Sequence, residues 1–157
     1  MMRIVQNSMA RHRGAVLVEM VLVTPILLFV MLATAEVTRA FVDHNTLTKA
    51  VRNGARYVAA NAYQGTTGLV TVDAGLAADT SNLVVYGNIA PAPSDAPVLV
   101  GLTTADVTVA YVGANNVEVT ASHPIGGILG PVLSSFGAGP DINLVHNLRA
   151  SVTMRAL

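Results

Sequence analysis

The alternation of apolar and polar positions divides the first 60 residues into three segments. Residues 1–14 are polar and basic, and residues 15–35 form an apolar run in which Glu19 is the one charged side chain. From residue 37 onward, apolar side chains recur every three or four positions, which is the period of a helix with one buried face. The pattern therefore predicts a helix that crosses a membrane and then continues as an amphipathic helix to residue 60.

The length of the apolar run and the charges before it support a single membrane span. The 21 residues from Ala15 to Ala35 would form a helix of roughly 31 Å, close to the hydrocarbon thickness of a bilayer. Pro25 is tolerated in such a helix. The basic residues ahead of the run keep the N-terminus cytoplasmic; they are Arg3, Arg11 and Arg13.

The amphipathic continuation predicts which helix positions pack on the rest of the chain. His44 falls on this apolar stripe, and we expect it to be a packed or capping residue rather than a participant in acid–base chemistry. The predicted stripe comprises Val37, Ala40, Phe41, His44, Thr48, Val51, Ala55 and Val58.

Residues 61–157 predict a small head that combines helix and sheet. A second helical pattern spans residues 67–86, with Gly87 as its stop signal. After a proline-containing connector at residues 88–104, the period changes from about 3.6 to two, which is typical of strands with one buried face. Strands are predicted at residues 106–112, 117–122 and 144–155, and one or two helical turns at 128–136. The fold class is α+β, with an antiparallel sheet of about three strands.

The charge distribution excludes a nucleic-acid partner. The nine Lys and Arg balance nine Asp and Glu, and all nine cations lie before residue 57 or after residue 148. Phosphate binding needs a clustered cationic surface. The segment between the cations carries acids alone: Asp73, Asp79, Asp95, Asp106, Glu118 and Asp141.

No pattern of catalytic or metal-binding residues is recognisable, so we expect neither an enzyme nor a cofactor. Ser122 and His123 are sequence neighbours at a predicted strand end and form no triad by themselves, and Gly126, Gly127 and Gly130 fit no phosphate-binding fingerprint. The chain has no cysteine. The histidines have no metal-ligand spacing; they are His12, His44, His123 and His146.

The N-terminal residues resemble the signal of type IV-like prepilins. A basic leader ends in Gly14, four small or apolar residues follow, and Glu19 then opens an apolar helix. The longer pattern is similar to the TadE-like minor pilins (pseudopilins) of the tight-adherence, or Flp, pilus. That family usually places an aromatic residue directly after the glutamate, where this chain has Met20. The matching pieces are Gly14, Glu19, Thr24–Pro25, Glu36, residues 50–57 and the closing residues 150–155.

The resemblance implies a processing site, a role for Glu19 and a set of partners. Prepilin peptidase would cut between Gly14 and Ala15, so that residues 1–14 are a leader, 15–60 an assembly helix and 61–157 a periplasmic head. Glu19, near Pro25, would pair with the free α-amine of a neighbouring subunit. The implied partners are the peptidase, the major Flp pilin, a sister pseudopilin and the inner-membrane assembly platform. The implied locations are the inner membrane and the extracellular pilus.

Two other interpretations remain open at the level of sequence. Residues 20–32 form an apolar core of signal-peptide length, and Ala33-Thr34-Ala35 is an acceptable small-x-small cleavage site. Cleavage there would leave a secreted binding module that begins at Glu36. Alternatively, the apolar helix is an uncleaved anchor that presents the head for binding.

Overall fold

The computed structural model describes residues 5–63, 69–127, 130–133, 139–143 and 145–157. Two helices and a three-stranded antiparallel sheet in the order β1-β2-β5 form its main elements. A two-stranded ladder, β3-β4, accompanies them, and the predicted α+β class is confirmed. In chain order the elements are α1 (Val5–Asn61), α2 (Ala74–Tyr86), a short 3₁₀ helix (Thr104–Asp106), β1 (Val107–Gly113), β2 (Asn116–Ile125), β3 (Val132–Leu133), β4 (Ile142–Asn143) and β5 (His146–Arg155).

The chain separates into two compact units, Met1–Arg39 and Ala40–Leu157. The first unit contains the N-terminal part of α1, whose described side chains are exposed almost throughout. The second contains the rest of α1 and every other element, and all the buried apolar residues of the described chain belong to it. From here on we refer to the second unit, residues 40–157, as the head; unlike the predicted head of residues 61–157, it includes the C-terminal part of α1.

The buried face of α1 in the head begins at Leu47, later than the sequence pattern predicted. Val51, Ala55 and Val58 are fully buried as expected. Phe41 is 68% exposed, and the prediction of a packed His44 is wrong, since its side chain is exposed on the helix. The apolar period continues on both sides of Leu47, and period alone does not reveal where the packing partner begins.

Helix α2 starts at Ala74, so the predicted start at residue 67 is wrong. Asp73 has extended backbone angles, and its carboxylate accepts a hydrogen bond from the backbone N–H of Leu76 at 2.7 Å. This is the arrangement of an N-cap, which satisfies one of the unpaired donors of the first turn. Just before it, Val70 pairs with Tyr63 in an isolated bridge. The predicted C-terminal stop is confirmed, because Gly87 adopts a left-handed conformation (φ 72°) and its N–H bonds to the Leu83 carbonyl.

The hairpin and the long final strand follow the predicted alternation. Ala114 and Asn115 form the turn of the β1–β2 hairpin with φ angles of 50° and 60°. These left-handed angles suit the right-handed twist of the two strands. On the central strand β2, Val117, Val119 and Ala121 are fully buried. Their partners on β5 are Met154, Val152 and Ala150, in unbroken antiparallel register.

The helical turns predicted at residues 128–136 are wrong where the structure describes that segment. Val132 and Leu133 form β3 and pair with Asn143 and Ile142 of β4. Residues 128, 129 and 134–136 lie outside the described part of the chain. So does Leu144, the predicted first residue of the last strand, which is observed to begin at His146.

Backbone hydrogen bonds join the last residues of the chain to the end of α1 and to the hairpin turn. Leu157 donates its N–H to the Ala59 carbonyl at 3.0 Å, and buried Ala156 donates to the Asn115 carbonyl at 2.8 Å. The Asn115 side chain in turn donates to the Tyr63 hydroxyl at 3.0 Å. These contacts fix α1, the hairpin and β5 together around one apolar core.

Candidate assembly helix and processing site

The predicted cleavage position lies on an exposed, continuous stretch of α1. Helical backbone passes through Gly14 and Ala15 without a break, and both residues are exposed. A side chain added at Gly14 would meet no atom within 4 Å. Packing against the described residues therefore does not require a glycine at this position. Arg3 lies outside the described residues, and for Arg11 and Arg13 only the helical backbone is described.

Glu19 and Ala15 lie on the same side of α1. Their separation of four residues corresponds to about one helical turn, or roughly 6 Å along the axis. Glu19 is exposed, and no described side chain pairs with its carboxylate. A carboxylate in an apolar, membrane-length segment costs about 2.5–3.5 kcal/mol at the bilayer centre. A cation from outside the described chain would offset that cost.

Apolar side chains cover the helix on all sides beyond Glu19. Leu22 is 67% exposed and Met31 70% exposed, and they are typical of the segment. The described chain contains one helix long and apolar enough to cross a membrane, Gly14–Asn61, with a mean hydropathy of 2.6 in its most apolar window. None of that window is buried against the chain itself. An all-round apolar helix of this kind requires lipid or other helices as its surroundings.

Pro25 modifies the helix locally without ending it. Proline has no N–H, so the Val21 carbonyl loses its usual backbone donor. One residue earlier, the Thr24 hydroxyl donates to the Met20 carbonyl at 2.7 Å. A shallow groove on the same side is lined by Leu17, Met20, Val21, Thr24, Pro25 and Leu28. Gly14, Ala15, Glu19 and Pro25 thus share one exposed helix, but the described chain brings no catalytic group to them.

The head contains a polar contact that the sequence analysis missed. His123 lies within β2 rather than at the end of a strand, and its side chain is buried. Its Nδ1 is 3.4 Å from the Asp106 carboxylate and its Nε2 is 3.2 Å from the Val100 carbonyl. Ser122 is exposed on the opposite face of the strand, so the two neighbours do not form a nucleophile–base pair.

The surroundings of Asp106 favour its ionised form. The Thr103 backbone N–H donates to its carboxylate at 2.9 Å. This bond is the main reason that the pKa of Asp106 is lowered from 3.8, with smaller contributions from the Thr103 hydroxyl and from His123. Thr103 and Asp106 form a capping box at the 3₁₀ helix, so the T-x-x-D spacing was the available signal. Through its contacts with Val100 and Asp106, His123 connects the 98–106 segment to strand β2. This role is structural.

Among the described residues, no three His, Asp or Glu side chains converge as metal ligands would. The described site is an exposed apolar helix that carries one carboxylate, Glu19, and a glycine five residues before it, Gly14.

Comparison with protein families gives a match to the N-terminal part of the chain, which contains most of α1. Residues 14–56 match the model of a family described as TadE-like protein. The resemblance expected from the sequence is confirmed over those residues, which include Gly14, Glu19 and Pro25. No curated protein matches the chain, and no solved structure matches it.

Proposed function

We propose that this chain, TadE-like over residues 14–56, is a minor pilin of a Flp-type pilus. In this role it is a structural component of a Tad pilus involved in surface adhesion, and not an enzyme. It is inserted in the inner membrane by one helix and carries a periplasmic head, and it takes part in assembling the extracellular fibre. The observation that carries the proposal is the exposed apolar helix α1 with Gly14 and Glu19 at the positions that the family pattern requires.

Processing by prepilin peptidase after Gly14 is the first step of the proposed function. Removal of the leader takes away Arg3, Arg11 and Arg13 and frees the α-amine of Ala15. The nine cations become six against nine acids, so the mature side chains carry a net charge of −3. The exposure of Gly14 and Ala15 is compatible with access by a peptidase.

Assembly then uses the carboxylate of Glu19. In the proposed fibre, Glu19 of one subunit pairs with the Ala15 amine of its neighbour, while the apolar surface around Pro25 packs on adjacent helices. The pair offsets the cost of a carboxylate in an apolar environment. The proposed partners are the prepilin peptidase, the major Flp pilin, a sister pseudopilin and the assembly platform of the inner membrane.

The N-terminal residue of the protein recovered from its native membrane tests the proposal. Intact mass and terminal peptide sequencing should find a start at Ala15. Gly14→Leu should abolish this cleavage and leave the helix intact, since a Cβ atom at this exposed position meets no atom within 4 Å. Ala35→Leu is the matched control at another exposed helix position, and it should be processed normally.

The other outcomes distinguish the competing interpretations. A start at Glu36 that Ala35→Leu blocks would identify an ordinary signal peptide and leave a secreted binding module. An intact Met1 in both variants and in the unmodified protein would identify an uncleaved anchor. Either result would overturn the proposal.

A further inference from the structure

The exposed side of α1 within the head carries three cations in one row. Lys49, Arg52 and Arg56 are all exposed. At 3.6 residues per turn, their positions fall within roughly 60° of one another around the helix axis. The opposite side of the same helix is buried, with Leu47, Val51 and Val58 fully covered. We call the row Lys49–Arg52–Arg56 the basic stripe.

No acidic side chain among the described residues pairs with the basic stripe. Within the part of the chain that the structure describes, none of the three cations has an ion-pair partner. Arg52 and Arg56 are four residues apart, and like charges at this spacing oppose each other on a helix surface. A carboxylate supplied from outside would relieve that repulsion.

The surface beside the stripe is concave. The Lys49 side chain borders a cleft of about 210 Å³ between α1 and the end of α2. A carboxylate seated beside such a cleft is partly withdrawn from water, and ion pairs are then screened less than on an open surface. The cleft is lined by Thr46, Lys49, Ala50, Asn53, Leu83, Gly87 and Val98.

The rest of the head has the opposite charge. Between residues 57 and 148 there are six acids and no Lys or Arg. Most of these acids already accept hydrogen bonds within the chain, as Asp73 does from Leu76 and Asp95 from Ala92. Asp79 on α2 is half-buried, and its carboxylate has no partner within the described residues. Each copy of the head thus presents a cationic row and, within a segment that contains no Lys or Arg, a carboxylate with no partner among the described residues.

We infer that the basic stripe of one copy docks against the cation-free part of the head of a second copy, with Asp79 as the foremost acceptor. The contact joins two different surfaces, so it is heterologous and can repeat from copy to copy. It involves the head alone and goes beyond the proposed function, because it does not depend on cleavage at Gly14. Complementary charge sets the orientation of such contacts more than their strength.

The unique lysine of the chain makes the contact directly testable. Lys49 is the only lysine in the sequence, and a water-soluble carbodiimide joins an amine to a carboxylate when the two are in contact. The full chain is prepared in ¹⁴N and ¹⁵N forms, mixed in phosphatidylcholine vesicles and treated with the reagent. We expect peptides in which Lys49 of one isotope is joined to Asp79, or to another acid of residues 57–148, of the other isotope.

Substitutions that retain Lys49 test whether the stripe produces the contact. Arg52→Gln combined with Arg56→Gln should lower the mixed-isotope product roughly five- to tenfold, since each exposed ion pair contributes modestly. Raising the salt concentration to about 1 M should have a similar effect, because the Debye length then falls to about 3 Å. Arg149→Gln removes an exposed cation on β5 outside the stripe, and it should leave the yield unchanged.

Each remaining outcome contradicts the inference. Single-isotope products without any mixed-isotope product would place the contact within one chain. Absence of any Lys49 product would mean that the stripe meets no carboxylate. If neither the double substitution nor salt changed the yield, the contact would not be electrostatic. If carbodiimide treatment of native membranes joined Lys49 only to another protein, a second copy would be excluded as the partner. A start at Met1 or Glu36 in the processing experiment would leave these predictions unaltered.

Discussion

At Gly54, helix α1 packs closely against helix α2. A Cβ atom added there would lie 2.5 Å from Cγ2 of Val84 and 3.3 Å from Cγ2 of Thr80. Val84 and Thr80 are fully buried and β-branched, so their side chains have little freedom to move aside. The glycine therefore allows α1 and α2 to pack at this distance.

We predict that Gly54→Ala destabilises the head by about 1–3 kcal/mol, the usual cost of overpacking a well-filled core. Gly75→Ala is the control: its Cβ would make only an ordinary contact of 3.5 Å with Asp73. Within helix α2 it should stabilise by up to about 1 kcal/mol. Denaturant unfolding of the full chain in detergent, followed through the head's tertiary signal, measures both. Equal stability of Gly54→Ala and the unmodified protein would contradict the close packing.

Asp106 predicts a pH dependence of stability in the acid range. Hydrogen bonds from Thr103, above all from its backbone N–H, lower the pKa of Asp106 in the folded protein from 3.8. A carboxyl whose pKa is lower when folded stabilises the fold above its unfolded pKa and loses that contribution as the pH falls through its folded pKa. The stability that Asp106 adds is thus present above its unfolded pKa of about 3.8 and is lost as the pH falls through the lower pKa of the folded protein.

Comparison with Asp106→Asn isolates this contribution from the other carboxylates. The unmodified protein should be more stable than the variant at pH 5, and the difference should shrink as the pH falls below 3.8. Denaturation midpoints of both proteins between about pH 5 and pH 2.5 provide the measurement. A difference that stays constant over this range would show that the ionised carboxylate is not what Thr103 stabilises.

At the residue scale, the sequence predicted local chemistry better than contacts between distant positions. Glu19 was recognised because a charge in an apolar run is visible in the sequence itself. The contact between His123 and Asp106 joins residues whose proximity depends on how the 98–106 segment meets β2. His44 shows the converse error, since a helical period identifies a face but does not say whether anything covers it.

Among the elements, the hairpin depends on its two-residue turn. Asn115 has φ 60° and donates from its side chain to the Tyr63 hydroxyl at 3.0 Å. Asn and Gly adopt left-handed backbone angles readily, whereas for other residues they cost about 1–2 kcal/mol. The turn residue therefore serves both the strand connection and the attachment of the hairpin to the end of α1.

Two substitutions separate these roles of Asn115. Asn115→Ala loses both the favourable backbone angle and the hydrogen bond, and should destabilise the head by about 2–3 kcal/mol. Asn115→Gly keeps the backbone angle and should lose only about 0.5–1.5 kcal/mol. Thermal unfolding of the two variants beside Tyr63→Phe gives the comparison. If Asn115→Gly were as damaging as Asn115→Ala, the left-handed turn would not be the main requirement.

The sequence predicts an element well when its apolar–polar period and the turn or cap residues at its ends agree. Strands β1, β2 and β5 alternate clearly, and the Gly113–Asn116 turn separates the first two. The sequence predicts too early a start for helix α2 because Leu69 and Val72 continue its apolar spacing, although Asp73 is an N-cap signal. It predicts a helical turn at Val132 and Leu133 because a two-residue strand is too short to show a period.

At the scale of the whole molecule, the apolar residues divide between two different environments. Those of the first unit are exposed and suited to lipid or to other helices, whereas the buried core from Leu47 to Ala156 lies entirely within residues 40–157. The overall composition does not distinguish these two groups of apolar residues, but their positions along the chain do. The sequence thus separates the exposed apolar run from the later apolar positions, while the start of the buried face at Leu47 required the positions of α2 and the sheet.

This division predicts that the head folds without the apolar helix. A fragment comprising residues 40–157 contains the whole described core and the hydrogen bonds from Leu157 to Ala59 and from Ala156 to Asn115. It should be monodisperse without detergent at low concentration, and its unfolding midpoint should match that of the head in the full chain. Circular dichroism and calorimetry of both proteins test this directly.

The fragment begins with exposed apolar side chains, so a second fragment distinguishes misfolding from simple self-association. Phe41 is 68% and Val42 55% exposed, and neither belongs to the core. A fragment of residues 43–157 removes both and should retain the same unfolding midpoint, with less association at high concentration. If both fragments lacked a cooperative transition, the head would need the first unit to fold, and the boundary near residue 40 would not separate independent folding units.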